Sequence, residues 1–218
     1  ELGYTEEEGQ SEASRCINCS YCSDCGLCVE ACLPGAVNHM ELPVERDLDV
    51  GAVILTSGTD VFDPAKLEQF YLYKHNPNVM TSIEFERILS ATGPTNGHLV
   101  RRSDDKEPKK IAWLQCVGSR DVNQCDNGYC SSVCCMYAIK EAVIAKEHAP
   151  SDLDCAIFNM DIRTFGKDYE RYYERSKELG VRFVQARVHT IEDDSNTGNL
   201  LLRYATVDGE VLTEEYDM

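Results

Sequence analysis

Length, composition and charge narrow the classes of protein to consider. The chain has 218 residues, of which 43% are hydrophobic, enough for one full core or two small domains. A formal charge of −17 argues against nucleic-acid binding, which needs a basic surface to replace phosphate counterions. No apolar run approaches ~18 residues, so no segment is expected to span a membrane.

The two ends of the sequence and its cysteines give expectations about the cellular compartment, the extent of the polypeptide and the role of the cysteines. The acidic start lacks the basic and apolar regions of a signal peptide, so we expect a cytoplasmic protein. The chain begins with Glu1 and stops within an apparent strand at residues 214–218, so we expect a piece of a longer polypeptide. Its 12 cysteines, crowded at spacings of two and three residues, are more typical of metal ligands than of disulfides.

The predicted elements of the first half are two capped helices, a buried strand and a linker. Thr5 with Glu8, and Thr81 with Glu84, have the capping-box pattern of a helix start. The predicted helices cover residues 5–14 and 81–90, the apolar strand 49–56, and the Gly- and Pro-rich linker 91–108.

The second half has a regular alternation of strands and helices. Strands are predicted at residues 110–115, 153–160, 181–185, 188–192, 200–205 and 211–216, and helices at 131–148 and 167–179. The β-α-β-α-β order implies a parallel sheet with right-handed crossovers. Asp208-Gly209 predicts a hairpin within an antiparallel meander that follows. The prediction is an α/β fold, a nucleotide-domain-like unit with an appended β-meander.

A first group of cysteines lies near the N-terminus. Its members are Cys16, Cys19, Cys22, Cys25, Cys28 and Cys32. The last four have the C-x2-C-x2-C-x3-C spacing of bacterial ferredoxins, in which a tight loop wraps a cubane cluster. Leu33 departs from that pattern because it separates the last cysteine from Pro34. Cys16 and Cys19 serve either this cluster or a second centre, and the sequence leaves that choice open.

Zinc is the alternative occupant of the first group. Zinc sites usually pair C-x2-C units that are a dozen or more residues apart. The continuous two-residue spacing here therefore favours an iron–sulfur cluster over a zinc ion.

A second group of cysteines surrounds the first strand–turn–helix of the α/β unit. Cys116 ends the strand, while Cys130, Cys134 and Cys135 lie across the predicted helix start. We expect Cys130 and Cys134, one helical turn apart, to share a face of the helix. The G-x-G-x-x-G fingerprint of a dinucleotide site is missing from this turn. A helix N-terminus that would face pyrophosphate would instead face an anionic cluster.

Disulfides are the alternative for the second group. A bond between the adjacent Cys134 and Cys135 would be strained, and a reducing compartment disfavours it. Cys125, in the intervening loop, is a further ligand candidate, and Cys155 lies mid-strand and is expected in the core.

Several segments resemble the A subunit of heterodisulfide reductase and its bacterial relatives. They are QCVGSRD (115–121), YCSSVCCMYAIKEA (129–142), DIRTFGK (161–167), GAVILTSGTDVFDP (51–64) and TSIEFERILSATGPT (81–95). The resemblance covers nearly the whole chain, and the adjacent cysteines are its most specific part.

The resemblance implies a [4Fe–4S] cluster beside FAD in a thioredoxin-reductase-like domain. The implied ligands are Cys116, Cys130, Cys134 and Cys135. Lys140 matches a family lysine near the flavin ring, with Glu86 as its partner. Since the family's G-x-G-x-x-G strand is missing, FAD would be shared with parts of the polypeptide outside this sequence. The implied domains are a ferredoxin-like segment (1–45), part of the flavin domain or a connecting segment (46–108), and a Rossmann-like domain (109–218).

The function expected from the resemblance is electron relay within a flavin-based oxidoreductase, in which FAD splits electron pairs between two acceptors. Expected partners are proteins like the B and C subunits of heterodisulfide reductase, donors of the hydrogenase or formate dehydrogenase type, and ferredoxin. The alternatives are a zinc-stabilised interaction module and a nicotinamide-dependent disulfide reductase. The latter is weakened because cysteines occupy the phosphate loop.

Overall fold

The computed structural model describes residues 5–14, 26–58, 60–149 and 152–218. The chain divides into two units: residues 62–218 with the N-terminal helix, and a segment within residues 18–61. The domain boundaries predicted from the sequence, after residues 45 and 108, stay predictions. None of the helices in the described ranges has the length and apolar character needed to cross a membrane.

The described secondary structure is mixed helix and strand. The helices are α1 (Glu6–Ser14), α2 (Leu27–Ala31), α3 (Glu68–Tyr71), α4 (Ser82–Leu89), α5 (Cys134–His148) and α6 (Tyr169–Glu178), with a 3-10 turn at Pro64–Leu67 before α3. The strands are β1 (Lys110–Leu114), β2 (Asp154–Asn159), β3 (Val181–Gln185), β4 (Val188–Asp193), β5 (Leu200–Ala205) and β6 (Val211–Tyr216). The α/β class predicted from the sequence is therefore confirmed.

The first sheet has the order β1-β2-β3, and all three strands are parallel. Helix α5 connects β1 to β2, and α6 connects β2 to β3, as the alternating pattern predicted. The end of the chain lies along the other edge of β1, where the Ala112 N–H donates to the Met218 carbonyl at 3.0 Å. The parallel strands bring the loops that follow β1 and β2 to the same edge of the sheet.

The second sheet is the predicted antiparallel meander, β4-β5-β6. Gly209 closes the hairpin between β5 and β6 with a left-handed φ of 85° and an N–H that donates to the Thr206 carbonyl at 3.0 Å. A glycine adopts this conformation without the steric cost that a side chain would add.

Strand β2 joins two hydrophobic cores because its side chains alternate between the faces of the sheet. Cys155 and Ile157 face a first core, which includes Trp113 and the buried side of α5. Ala156 and Phe158 face a second core, built with the meander and α3. All four are at most 1% exposed, which explains why the sequence of β2 is a continuous apolar run.

Both predicted capping boxes are present. The Thr5 N–H donates to the Glu8 carboxylate at 2.8 Å, and the Thr81 N–H donates to that of Glu84 at 2.7 Å. These bonds satisfy backbone donors that the first helical turn leaves without partners.

The buried strand predicted at residues 49–56 is wrong. This segment has no strand assignment, and Val53, Ile54 and Leu55 are 75%, 86% and 87% exposed. An apolar β-branched run becomes a buried strand only where neighbouring strands pair with its backbone and cover its faces. Within the described part of its unit, no strand is available to do so.

Candidate metal centre

Only part of the first cysteine group can be described. Cys16, Cys19, Cys22 and Cys25 lie outside the described residues. Cys28 lies on α2, and Cys32 follows the last residue of that helix. The Sγ atom of Cys32 accepts the Ala36 N–H at 3.3 Å, and the Sγ atom of Cys28 lies 3.4 Å from Nε2 of His39. The sequence gives no signal for His39, because its separation of 11 residues from Cys28 matches no ligand spacing.

The second group is described in full and spans the end of β1 and the start of α5. Cys116 follows Gln115 after the strand, and Cys134 and Cys135 are the first two residues of the helix. Cys116 and Cys135 are buried, whereas Cys130 and Cys134 are partly buried.

The predicted shared helix face for Cys130 and Cys134 is wrong. Helix α5 begins at Cys134, three residues later than predicted, so Cys130 lies in the preceding loop. The reason is the backbone of Ser132, whose left-handed φ of 68° cannot continue a right-handed helix.

The thiols of the second group interact with one another. The Cys135 thiol hydrogen-bonds to Cys134, and this contact is the largest cause that lowers the pKa of Cys134 to about 6. The same hydrogen bond raises the pKa of Cys135. Burial raises the pKa of Cys116, and the charges of Cys134 and Cys130 add to that effect. The fold thus brings together four sulfurs from a loop, a strand end and a helix start.

Backbone N–H groups point at these sulfurs. The Ser132 N–H donates to Cys130 Sγ at 3.4 Å, and the backbones of Cys116 and Arg163 donate to Cys134 and Cys135 respectively. Helix α5 has no side-chain cap at Val133, so the positive end of its dipole is open towards the group. Donors of this kind stabilise the anionic thiolates of an iron–sulfur cluster, so these residues fit such a group.

In the described ranges, no three His, Cys, Asp or Glu side chains are gathered tightly enough to hold one metal ion. The ligands of a tetrahedral zinc ion all bind one atom, whereas the four thiolates of a [4Fe–4S] cluster bind different corners of a cubane.

The two remaining cysteines of this half lie elsewhere. Cys125 packs against the second core. Burial raises the pKa of its thiol, the charge of Asp121 adds to that effect, and the charge of Arg187 opposes it. Cys155 is fully buried in β2, which confirms its predicted place in the core. Its Sγ atom lies 3.9 Å from the Ala142 carbonyl.

Lys140 and Glu86 form the predicted pair. The Lys140 Nζ atom lies 3.3 Å from Glu86 Oε1 and links α5 to α4, and both side chains are about half exposed. The described structure has a shallow depression of about 330 Å³ on the outer face of the meander and a gap of about 10 Å³ near Gln115. Lys140 and Glu86 line neither of them, so their role at a flavin stays a prediction.

Comparison with known proteins finds relatives that are components of oxidoreductases. No family model matches it. It is 44% identical over 204 residues to the iron–sulfur A subunit of CoB–CoM heterodisulfide reductase from Methanocaldococcus jannaschii, covering 93% of the chain and 31% of that protein. It is 47% identical over 185 residues to the second of two such A subunits from Methanopyrus kandleri, covering 84% of the chain and 28% of that protein.

A third relative is also an A subunit. The A subunit of H2:CoB–CoM heterodisulfide,ferredoxin reductase from Methanothermobacter marburgensis is 41% identical over 204 residues, or 93% of the chain and 30% of that protein. The chain therefore spans about a third of the length of the curated relatives it matches. The chain is a relative of heterodisulfide reductase A subunits over most of its own length, in agreement with the resemblance of its motifs.

Proposed function

We propose that this chain is an electron-relay part of an oxidoreductase complex. In this proposal, Cys116, Cys130, Cys134 and Cys135 are the thiolate ligands of a [4Fe–4S] cluster. A bound cluster of this kind accepts and donates single electrons. The observation that carries the proposal is the convergence of these four thiols at one sheet edge, with backbone N–H groups directed at their sulfurs.

The first cysteine group is proposed to hold a second [4Fe–4S] cluster in a ferredoxin-like segment. Cys22, Cys25, Cys28 and Cys32 supply the thiolates, and Cys16 and Cys19 complete this centre or serve another one. The ferredoxin spacing supports this assignment, as does the Ala36 N–H that donates to Cys32. Further support comes from two relatives that are named as iron–sulfur proteins.

FAD is proposed to bind beside the second cluster, in a Rossmann-like domain completed by other parts of the polypeptide. The G-x-G-x-x-G strand that holds the dinucleotide in the family is missing from this sequence, and that is why the rest of the pocket is assigned to other parts of the polypeptide. The Lys140 ammonium group, which is oriented by Glu86, would stabilise negative charge on a reduced flavin ring.

The proposed partners are other subunits of a redox complex, electron donors of the hydrogenase or formate dehydrogenase type, and ferredoxin. Relatives are named as reductases of CoB–CoM heterodisulfide, some with H2, formate, ferredoxin or F420H2 in their names. We extend to this chain a role in such a complex, including the splitting of electron pairs at FAD and a cytoplasmic location.

Metal and sulfide analysis tests the proposal. Protein purified without oxygen is assayed for iron, sulfide and zinc, and its absorption spectrum is recorded before and after dithionite. The expected result is about four irons per site and a broad absorption near ~400 nm that bleaches on reduction. Colourless protein that contains zinc would overturn the proposal in favour of an interaction module.

Matched cysteine variants locate the second cluster. C134S/C135S should remove about four irons while the first cluster stays. C125S is the control. Cys125 lies in the loop between β1 and α5 but packs against the second core instead of joining the four thiols. Equal iron loss in both proteins, or none in either, would show that the assigned ligands are wrong.

A further inference from the structure

Arg120 lies in the loop that carries Cys116, four residues further along the chain. The backbones of Cys116, Gly118 and Arg120 have left-handed φ values of 62°, 72° and 56°. These conformations curl the loop back on itself, and the positive charge of Arg120 acts on the Cys116 thiol. Two of the three residues carry side chains, which makes this an uncommon and strained backbone that the surrounding contacts must hold.

Asp161 holds the Arg120 side chain in place from the neighbouring loop. The Arg120 Nη1 atom donates to Asp161 Oδ1, and the Arg120 side chain is 27% exposed. Asp161 follows β2, and its backbone carbonyl lies 3.9 Å from the Sγ atom of Cys135. The ion pair therefore connects the loops that follow β1 and β2 across the cysteine group.

Arg120 also orients the segment that leads to Cys130. The Arg120 N–H donates to the Tyr129 carbonyl at 3.1 Å, and the Ser119 hydroxyl donates to the same oxygen at 2.6 Å. Arg120 is thus connected to the surroundings of three of the four thiols. It shares a loop with Cys116, and its backbone bonds to the residue before Cys130. Its side chain pairs with Asp161, whose carbonyl lies beside Cys135.

We infer that Arg120, positioned by Asp161, donates to the Cys116 sulfur and makes the second cluster easier to reduce. This inference rests on the proposed function. A cluster gains negative charge when it is reduced, and a nearby guanidinium stabilises that charge. Hydrogen bonds to ligand sulfur act in the same direction, so the pair raises the reduction potential of this centre. Arg120 and Asp161 are positioning residues for that centre, and the four cysteines are its ligands.

Redox titration of three variants tests the inference. R120Q removes the positive charge, R120K keeps the charge but loses the planar fork that spans Asp161 and Cys116, and R171Q removes an equal charge from an 88%-exposed arginine on α6. The midpoint of the second cluster is taken from the signal that C134S/C135S lacks. Iron and sulfide are measured in every protein.

The expected order of midpoints is wild type and R171Q highest, R120K lower and R120Q lowest. For R120Q we expect about a tenfold lower ratio of reduced to oxidised cluster at a fixed ambient potential, or ~59 mV for one electron. A loaded R120Q protein with the wild-type midpoint overturns the inference, as does an equal shift in R171Q. If R120Q does not retain iron, R120K decides: a lower midpoint supports the inference, and an unchanged one overturns it.

Failure of the inference and failure of the proposed function give different results. If C134S/C135S has as much iron as the wild type, the second cluster is absent and the proposed function fails. If the cluster is present and only the midpoints are unchanged, the ligand assignment stands and the role of Arg120 is wrong.

Discussion

The indole Nε1 of Trp113 donates a hydrogen bond of 2.9 Å to Oε2 of Glu141 inside the first core. Glu141 is 1% exposed, and burial is the main cause that raises its pKa to about 8. The same indole packs edge-on against Phe85 of α4, with ring centroids 5.4 Å apart. Trp113 therefore joins β1 to both α4 and α5, the helix whose start carries Cys134 and Cys135.

Glu141→Gln is predicted to remove a pH dependence of stability. Because the folded-state pKa of Glu141 is raised, the folded protein holds a proton that the unfolded chain releases above about pH 4.5. The wild type should lose about 1.4 kcal/mol of unfolding free energy per pH unit between about pH 5 and 8 from this group. Urea unfolding at several pH values in this range measures the slope, which should flatten in E141Q.

Glu147→Gln is the control for that measurement, because Glu147 lies on the same helix and is exposed. Its slope should match that of the wild type. An E141Q protein with an unchanged slope would show that Glu141 is already ionised in the folded state in mild acid.

Glu214→Gln is predicted to lower stability more at neutral pH than in acid. Burial opposes ionisation of Glu214, but Lys110 Nζ at 2.6 Å and Arg182 Nη2 at 2.9 Å outweigh it and lower its pKa to about 2. Since the folded-state pKa is lowered, its stabilising effect is complete above about pH 4.5 and is lost as the pH falls towards 2. We expect a loss of roughly 1–2 kcal/mol at neutral pH.

Thermal unfolding of E214Q and wild type at neutral pH and at about pH 3 checks this expectation. The difference between the two proteins should shrink in acid. The exposed Glu210, at the turn between β5 and β6, provides the control variant E210Q. A deficit in E214Q that is equally large at both pH values would contradict the electrostatic account.

Gly118→Ala is predicted to disturb the loop that carries Cys116. A Cβ atom at Gly118 would lie 2.2 Å from Cγ of Phe62, and its φ of +72° is unfavourable for any side chain. Gly198 has the same φ of +72° but no atom within 4 Å of such a Cβ. G198A should therefore cost about 1 kcal/mol, from backbone strain alone, and G118A at least ~1 kcal/mol more.

The difference between the two alanine variants isolates the contact with Phe62. Chemical unfolding gives the free energies, and iron analysis should show lower cluster content in G118A only. Equal effects in the two variants would mean that Phe62 moves aside without cost.

Ile54→Lys is predicted to reduce self-association without changing stability. Residues 52–55 form an apolar β-branched run with high exposure, the kind of segment that pairs between chains. A charge at Ile54, which is 86% exposed, should interrupt this pairing and alter the unfolding free energy by less than ~0.5 kcal/mol. Sedimentation velocity over a range of concentrations measures the effect.

Val207→Lys is the control for I54K, because Val207 is 72% exposed near the turn between β5 and β6, outside that run. It should leave self-association unchanged. An equal decrease in self-association in both variants would indicate a general effect of net charge.

Local patterns predicted much of the second half. The bounds of β3, β5 and β6 agree with those expected from the sequence, because each strand is a short apolar or alternating run that ends near a turn residue such as Gly209. The start of α5 was placed too early, because the sequence does not reveal that Ser132 has a left-handed backbone. The segment 49–56 has the pattern of a buried strand but is exposed, because burial depends on neighbours that are remote in sequence.

Residue type and spacing in the sequence select the candidate cysteines, and their role as cluster ligands stays a prediction. The pairing of Lys140 with Glu86 was also predicted and is present. By contrast, nothing in the sequence indicated that Arg120 contacts Asp161, which lies 41 positions further on in the loop after another strand.

The sequence by itself determined which thiols are available, where helices are capped and which strands alternate, since these properties depend on residues within a few positions of one another. Only the tertiary structure decided which groups surround the thiols, because parallel strands bring loops from distant parts of the chain to one sheet edge. For that reason the charge of Arg120 acts on Cys116 while backbone N–H groups and the open end of α5 act on other sulfurs of the same group.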